Sequence, residues 1–449
     1  MNKQTQLIPR SRGHVDILVG LSFGDEGKGK ISDTITPQYD VIARVNGSGN
    51  AGHTVCDGTN KHVVHYIPCG FLYPGKILIC GAGMAINPVD YTKEVIVLEK
   101  NNPDLRRNLY VSHQATLITP IHISKDIYRE SGIGSLGSTK KGVSFGYADD
   151  TEHKGLRMLD IVKYSTKDFL SFYKEYREKE RKLFPRLPIF LKGNDLTEEE
   201  NIWLKYIDKM RSLKIQIVDT VQFANQLLAE GKNILIEGAQ SPLLDVRLGH
   251  YPYNTSSHTT PQMLLGYAGL PPGALRDVFG VMKPYITRVG GIPPLSVMDD
   301  DTDKIFREEG HEFGSTTGRA RKCAWTDEVL LRQVIDLCHP TKIYITKMDV
   351  CPVDVVKIAV GYLLKNGKNV LYPPMNLNDF ESVVYKEIPG WKFENNELIP
   401  ENAINFIAHI KKLFPFIEIA GIGVGPNRED IMYLSNNDLN KIDFVFEYS

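Results

Sequence analysis

The chain has 449 residues, 42% of them hydrophobic and 24% charged, the balance of an ordinary folded protein. Lys and Arg total 53 against 54 Asp and Glu, a balance that does not suggest a nucleic-acid binder or an acidic tail, so any anion site must be a local cluster of donors rather than a global field. No apolar run approaches the roughly 20 residues that span a bilayer, and six cysteines without C-x-x-C spacing do not make a disulfide framework in a chain this long.

The polar segment Met1 to His14 lacks the apolar stretch of a secretory signal and is expected to be a flexible arm, residues 1–14. Residues 15–449 contain no linker that divides them and are expected to form one domain. Val15 to Gly20 is a β-branched run ending in glycine. A glycine-rich turn follows, then a helix predicted from about Lys28. Further compact strands are predicted at 41–45, 76–80, 233–237 and 342–346, each followed by a polar or glycine-rich turn. Continuous apolar strands of this kind indicate a mostly parallel sheet covered by helices on both faces, an α/β fold. The Lys- and Glu-rich stretch 167–214 is expected to be helical with a solvated charged face at 173–182. It is broken at Pro185 and Pro188, with Thr197 capping a second helix.

The candidate chemistry sits where parallel sheets place it, after strand ends. Gly24-Asp25-Glu26-Gly27-Lys28-Gly29-Lys30 reads as a phosphate-binding loop, whose glycines let backbone N–H groups approach phosphate oxygens at a helix start. Ile31 stands where such a loop usually has a metal-holding hydroxyl, which points to Asp25 as the metal ligand. After the second strand comes Asn46-Gly47-Ser48-Gly49-Asn50-Ala51-Gly52-His53-Thr54. Asn50 can donate and accept, and His53 can give a proton to a developing charge. Thr346-Lys347-Met348-Asp349 resembles the guanine-reading tetrapeptide of GTP-binding proteins. A carboxylate there accepts from both guanine donors and rejects adenine. Gly314 to Lys322 packs hydroxyls, glycines and three cations suited to anion capture, and Glu237-Gly238-Ala239-Gln240 with Tyr253-Asn254-Thr255 offers neutral hydrogen-bonders.

Taken in order, GDEGKGK, NAGHT, EGAQ-x-x-LLD, YPY-x-TSS, EFG-x-TTGR and TKxD resemble the adenylosuccinate synthetase family, over residues 15 to about 430. The resemblance implies a G-protein-like sheet and a ligase that joins L-aspartate to IMP with GTP and Mg²⁺, through 6-phosphoryl-IMP. It also implies a cytoplasmic homodimer with no nucleic-acid or membrane partner. It implies catalytic roles for Asp25, His53 and Gln240, and metal ligation by Asp25 and the Gly52 carbonyl. GTP contacts would come from Gly24, Glu26, Gly27, Lys28, Gly29, Lys30, Gly52, His53 and Thr54, from Arg321, from Lys347, Met348 and Asp349, and from Gly423, Val424 and Gly425. IMP would meet Asp25, Lys28, Asn50, His53, Thr139, His153, Gln240, Thr255 and Arg319. Aspartate would meet Ser315, Thr316, Thr317, Gly318, Arg319, Ala320 and Arg321.

The chain departs from the family's pattern at Phe23, usually Trp, and at Ser48-Gly49, usually Gly-His. Ala320 stands where another Arg is common, and His153 stands for an arginine that crosses the dimer to the IMP phosphate. Two other readings compete. One is a phage-type synthetase acting on dGMP, which replaces the acid that Asp25 keeps here. The other is a non-catalytic GTP-binding switch, which would need neither His53, Gln240 nor the 315–321 loop.

Overall fold

The structure is a computed structural model describing residues 13–58, 60–132, 135–191, 193–290, 294–314, 318–394, 398–434 and 438. Residues 1–12 of the expected arm, and Ser315, Thr316 and Thr317, lie outside the described residues. Gly13 is buried and donates its N–H to the Leu228 carbonyl (3.3 Å).

The strand Val15–Gly20 is buried along its whole length and lies in the middle of the main sheet. From one edge the strands run Ile431–Met432, Glu418–Gly423, Lys342–Ile345, Leu275–Met282, Val15–Gly20, Ile234–Glu237, Val41–Gly47, Ile77–Ile86, Leu109–Ser112 and Gln216–Val218. All neighbours are parallel except the first pair. Successive side chains point to opposite faces, so Ile17 and Val19 enter one core and Leu18 the other. The five strands expected from sequence are all present, and the first helix begins at Lys28. A smaller sheet contains Tyr285–Arg288, Lys322–Asp327, Val355–Leu364 and Phe380–Pro389.

Helices Thr166–Leu183 and Glu198–Ser212 occupy the charged stretch. Thr197 caps the second, its side chain accepting from the Glu200 N–H while Glu200 reaches back. The first helix departs from the expected solvated face. Tyr173, Tyr176, Arg177 and Glu180 are buried. Glu200 accepts from the Tyr173 hydroxyl (2.9 Å) and Arg177 Nε (2.8 Å), and Tyr176 donates to Asp149 (2.7 Å). Charge density along the chain concealed this because each buried ion has a partner supplied by another helix.

Candidate active site

The first strand ends in a loop whose glycines do two different jobs. Gly27, at φ 87°, takes the left-handed turn that starts the helix. Gly29 allows close packing: a Cβ there would sit 2.8 Å from the Thr54 carbonyl oxygen and 3.0 Å from His53 Cβ. The helix start therefore presses directly on the strand His53–Asp57.

Inside the loop Glu26 is fully buried and acts as its organiser. One carboxylate oxygen accepts from the Ser22 N–H (2.9 Å), the Ser22 hydroxyl (2.9 Å) and the Gly24 N–H (2.8 Å). The other meets Lys28 Nζ at 2.7 Å, and Lys28 also donates to the Gly24 carbonyl (3.1 Å). Lys28 is thus folded back into its own loop. Lys30 donates to the carbonyls of Gly425 (2.6 Å) and Asp430 (2.7 Å), tying the first helix to the late glycine turn. Burial lowers its pKa to about 8. The Met348 N–H bonds the Gly423 carbonyl (2.9 Å), and the Thr346 hydroxyl bonds the Glu26 carbonyl (2.5 Å). The phosphate loop, the TKMD turn and Gly423 to Gly425 are therefore one hydrogen-bonded unit, with Asp349 exposed at its rim.

Beside this unit lies a cavity of about 410 Å³, lined by Asp25, Asn50, Gly52, His53, Thr139, Gln240, Thr255 and Arg319 among others. Residues scattered from 25 to 319 in the sequence meet here. Among the described residues that line it, four buried atoms lack a hydrogen-bond partner: Asn50 Oδ1, His53 Nε2, Arg129 Nε and Gln240 Oε1. Unsatisfied buried polar atoms are costly, and clustered on one cavity they mark the places a ligand would fill. The other His53 nitrogen, Nδ1, bonds Glu237 (2.9 Å), whose second oxygen accepts from the Ser32 hydroxyl (2.7 Å) and the Cys69 N–H (3.0 Å). Burial raises the Glu237 pKa, but the His53 ring, Arg44 and Ser32 outweigh it and hold the carboxyl at about 2. Burial lowers the His53 pKa against the opposing pull of Glu237.

Asp25 faces Arg321 Nε at 3.2 Å. Burial raises its pKa, opposed by Arg321 and Lys283, which makes it a better proton acceptor than an ordinary aspartate. Arg321 also reaches buried Glu312 (2.5 Å), which gathers Lys283 Nζ (2.9 Å), the Tyr285 hydroxyl (2.6 Å) and, at 3.8 Å, Lys347 Nζ. The three cations expected together in 314–322 are separated. Arg319 lines the cavity and donates to the Gly137 carbonyl, Arg321 serves Asp25 and Glu312, and Lys322 turns to Asp300 (3.0 Å). Gly318 and Ala320 are exposed and do not line the cavity. His153 is exposed, at φ 60°, and also stands off the cavity of its own chain.

Glu237, Glu312, Arg129 and Arg288 were not singled out individually from the sequence. Glu237 stood in a motif read for Gln240, and the others carry no local signal. Arg129 and Arg288 line the cavity, with Arg288 over the Phe23 ring (4.5 Å) and bonded to the Tyr253 carbonyl (2.5 Å). Asp25 and Gly52 line one cavity, and a carboxylate with a backbone carbonyl is an oxygen donor set that fits a hard divalent cation.

The family model described as adenylosuccinate synthetase matches residues 17–432. The chain belongs to the adenylosuccinate synthetase family. It is 36% identical over 433 residues to the adenylosuccinate synthetase of Caldanaerobacter subterraneus subsp. tengcongensis, covering 94% of this chain and 99% of that protein. The fully ligated adenylosuccinate synthetase of Plasmodium falciparum superposes with a TM-score of 0.86 at 32% identity, over 94% of this chain and 100% of that one. A cyanophage S-2L succinoaminodeoxyadenylate synthetase bound to dGMP and dATP is similar in fold at a TM-score of 0.62 and 17% identity, over 97% and 99% of the two chains. The enzyme is thus similar to ligases that form a carbon–nitrogen bond. Among the described residues no helix is long and apolar enough to cross a membrane.

Proposed function

We propose that the enzyme uses GTP to condense L-aspartate with IMP, giving adenylosuccinate, GDP and phosphate. The observation that carries this is the convergence of Asp25, His53 Nε2, Asn50 and Gln240 on one cavity beside the phosphate loop. Asp25 takes the N1 proton of IMP, and the N–H electron pair moves through the ring onto O6. O6 attacks the γ-phosphorus of GTP, the bond to the β–γ bridging oxygen breaks, and GDP leaves. His53 presents Nε2 to the charge of the transferring phosphoryl group, while Glu237 fixes Nδ1 and stabilises the protonated ring. The product, 6-phosphoryl-IMP, carries phosphate as a leaving group on C6. The aspartate amine attacks C6, phosphate departs, and the amine releases a proton.

Asp25 and the Gly52 carbonyl would hold Mg²⁺, which neutralises phosphate charge when bound. Asn50, Thr139, Gln240, Thr255 and Arg319 hold IMP. Residues 315–321 take the aspartate carboxylates. Asp349 accepts from N1–H and the 2-amino group of guanine, with Lys347 and Met348 beside it. Lys30 acts on GTP through the turn at Gly423 to Gly425. The reading includes a cytoplasmic homodimer in which His153 of one protomer reaches the IMP phosphate held by its partner.

The test is product identity by mass after incubation with Mg²⁺, GTP, aspartate and either IMP or dGMP, repeated with ATP for GTP. Adenylosuccinate from IMP and GTP is expected. Product from dGMP alone, or equal use of ATP, would overturn the assignment.

A further inference from the structure

Behind the cavity, three buried donors of different kinds meet. His53 begins a hairpin strand, Cys69 begins a short turn of 3₁₀ helix, and Glu237 ends a central strand. Their exposures are 5%, 0% and 0%. His53 Nδ1 is 2.9 Å from Glu237 Oε1 and 3.7 Å from Cys69 Sγ, and one ligand atom from each residue lies within 4.8 Å of the other two. We propose that His53, Cys69 and Glu237 form a buried site for one thiophilic divalent cation of the zinc class, and that its occupancy immobilises His53 and stops phosphoryl transfer.

Imidazole nitrogen, thiolate sulfur and carboxylate oxygen are the donors zinc selects, whereas magnesium avoids sulfur. In tetrahedral zinc, bond lengths of about 2.0–2.3 Å place neighbouring ligand atoms about 3.3–3.6 Å apart. The 3.7 Å from Nδ1 to Sγ is close to this range, and the 2.9 Å from Nδ1 to Oε1 has to open by a few tenths of an ångström. The carboxylate is already oriented, because the Ser32 hydroxyl and Cys69 N–H hold its other oxygen. Charge also closes. A thiolate, a carboxylate and a neutral imidazole cancel a dication, so the occupied cluster carries no net charge in its buried setting. Binding releases the Sγ–H proton to solvent and moves the Nδ1 proton to Nε2, so the imidazole stays neutral and no atom changes oxidation state. Entry is from the cavity, which His53 lines. Its donor atoms differ from the oxygen donors of Asp25 and of Gly52, the residue that precedes His53 in the chain.

The binding claim stands on the protein alone; only the inhibition rests on the function proposed for His53. The metal-free full-length protein is titrated with Co²⁺. One equivalent should give a thiolate-to-cobalt charge-transfer band with tetrahedral visible bands, bleached by Zn²⁺. Cys69→Ser should lose this spectrum, with Cys69→Ala as the second variant if the first folds poorly. In turnover assays at saturating Mg²⁺, Zn²⁺ should inhibit the unmodified enzyme, and the Cys69 variants should be at least roughly tenfold less sensitive. An unchanged cobalt spectrum in Cys69→Ser, or inhibition relieved by added Mg²⁺, overturns the site. A Cys69-dependent spectrum without inhibition upholds the site and overturns the role given to His53.

Discussion

Asp25 is set apart from its loop neighbour Glu26 by its surroundings. Glu26 spends both oxygens on Ser22, Gly24 and Lys28 and is sealed inside the loop, while Asp25 meets the cavity and a single arginine. Two adjacent carboxylates thus sit in different surroundings, and the proposed mechanism gives only Asp25 a chemical part. Asp25→Asn should reduce kcat by roughly 10²–10⁴-fold, the usual worth of a proton acceptor, with thermal unfolding little changed. Turnover near the unmodified rate would remove Asp25 from the mechanism.

The elements that matter most are short connections locked to one another. Lys30 belongs to the phosphate-loop motif by spacing, yet its ammonium grips two carbonyls of the turn that follows Glu418–Gly423. Lys30→Met should raise KM for GTP by roughly tenfold, about the worth of a charged hydrogen bond, with a smaller change in kcat. A fall in kcat at unchanged KM would mean Lys30 acts on the phosphates directly. The TKMD turn gives a second prediction at this scale. Asp349→Asn should narrow the preference for GTP over ATP, because an amide cannot accept from both guanine donors. The ratio of kcat/KM for the two nucleotides measures it.

Across the whole molecule, Glu312 joins the main sheet to the smaller one. Lys283 follows Leu275–Met282, Tyr285 opens the second sheet, Lys347 follows Lys342–Ile345, and Arg321 precedes Lys322–Asp327. Burial raises the Glu312 pKa, but Lys283, Lys347 and Arg321 bring it down to about 2 from 4.5. A carboxylate depressed in the folded state stabilises fully above its unfolded value and loses that stabilisation as pH falls through its folded value. Glu312→Gln should therefore cost about 3–5 kcal/mol near neutral pH, because buried cations lose their partner. It should also flatten the loss of stability between pH 4.5 and about 2. Denaturant unfolding at several pH values checks both. His153 tests the assembly. Arginine can grip a phosphate with two parallel hydrogen bonds and histidine cannot, so His153→Arg should lower KM for IMP. An unchanged KM would separate His153 from the phosphate.

Local signals were enough for what depends on short stretches of chain. Val15 to Gly20 reads as a strand because every residue except Asp16 is apolar or small, and it is buried throughout. Lys28 starts a helix because Gly27 can adopt the left-handed turn before it. Thr197 caps because Glu200 follows at the right spacing. Ordered motifs likewise carried the family. Tertiary structure alone decided what each charge does. Lys28 and Lys30 look alike as motif lysines, but one folds into its loop and the other holds a turn some 400 residues away along the chain. Tyr173 to Lys182 reads as a solvated run until Glu200 and Asp149 arrive from other helices. Glu237 and Glu312 are ordinary acids in sequence and become organising charges only when burial removes water and leaves a few distant partners to satisfy them. Hydrophobic periodicity is written into neighbouring residues, whereas the pairing of a buried charge is fixed by whichever strands and helices the fold brings beside it.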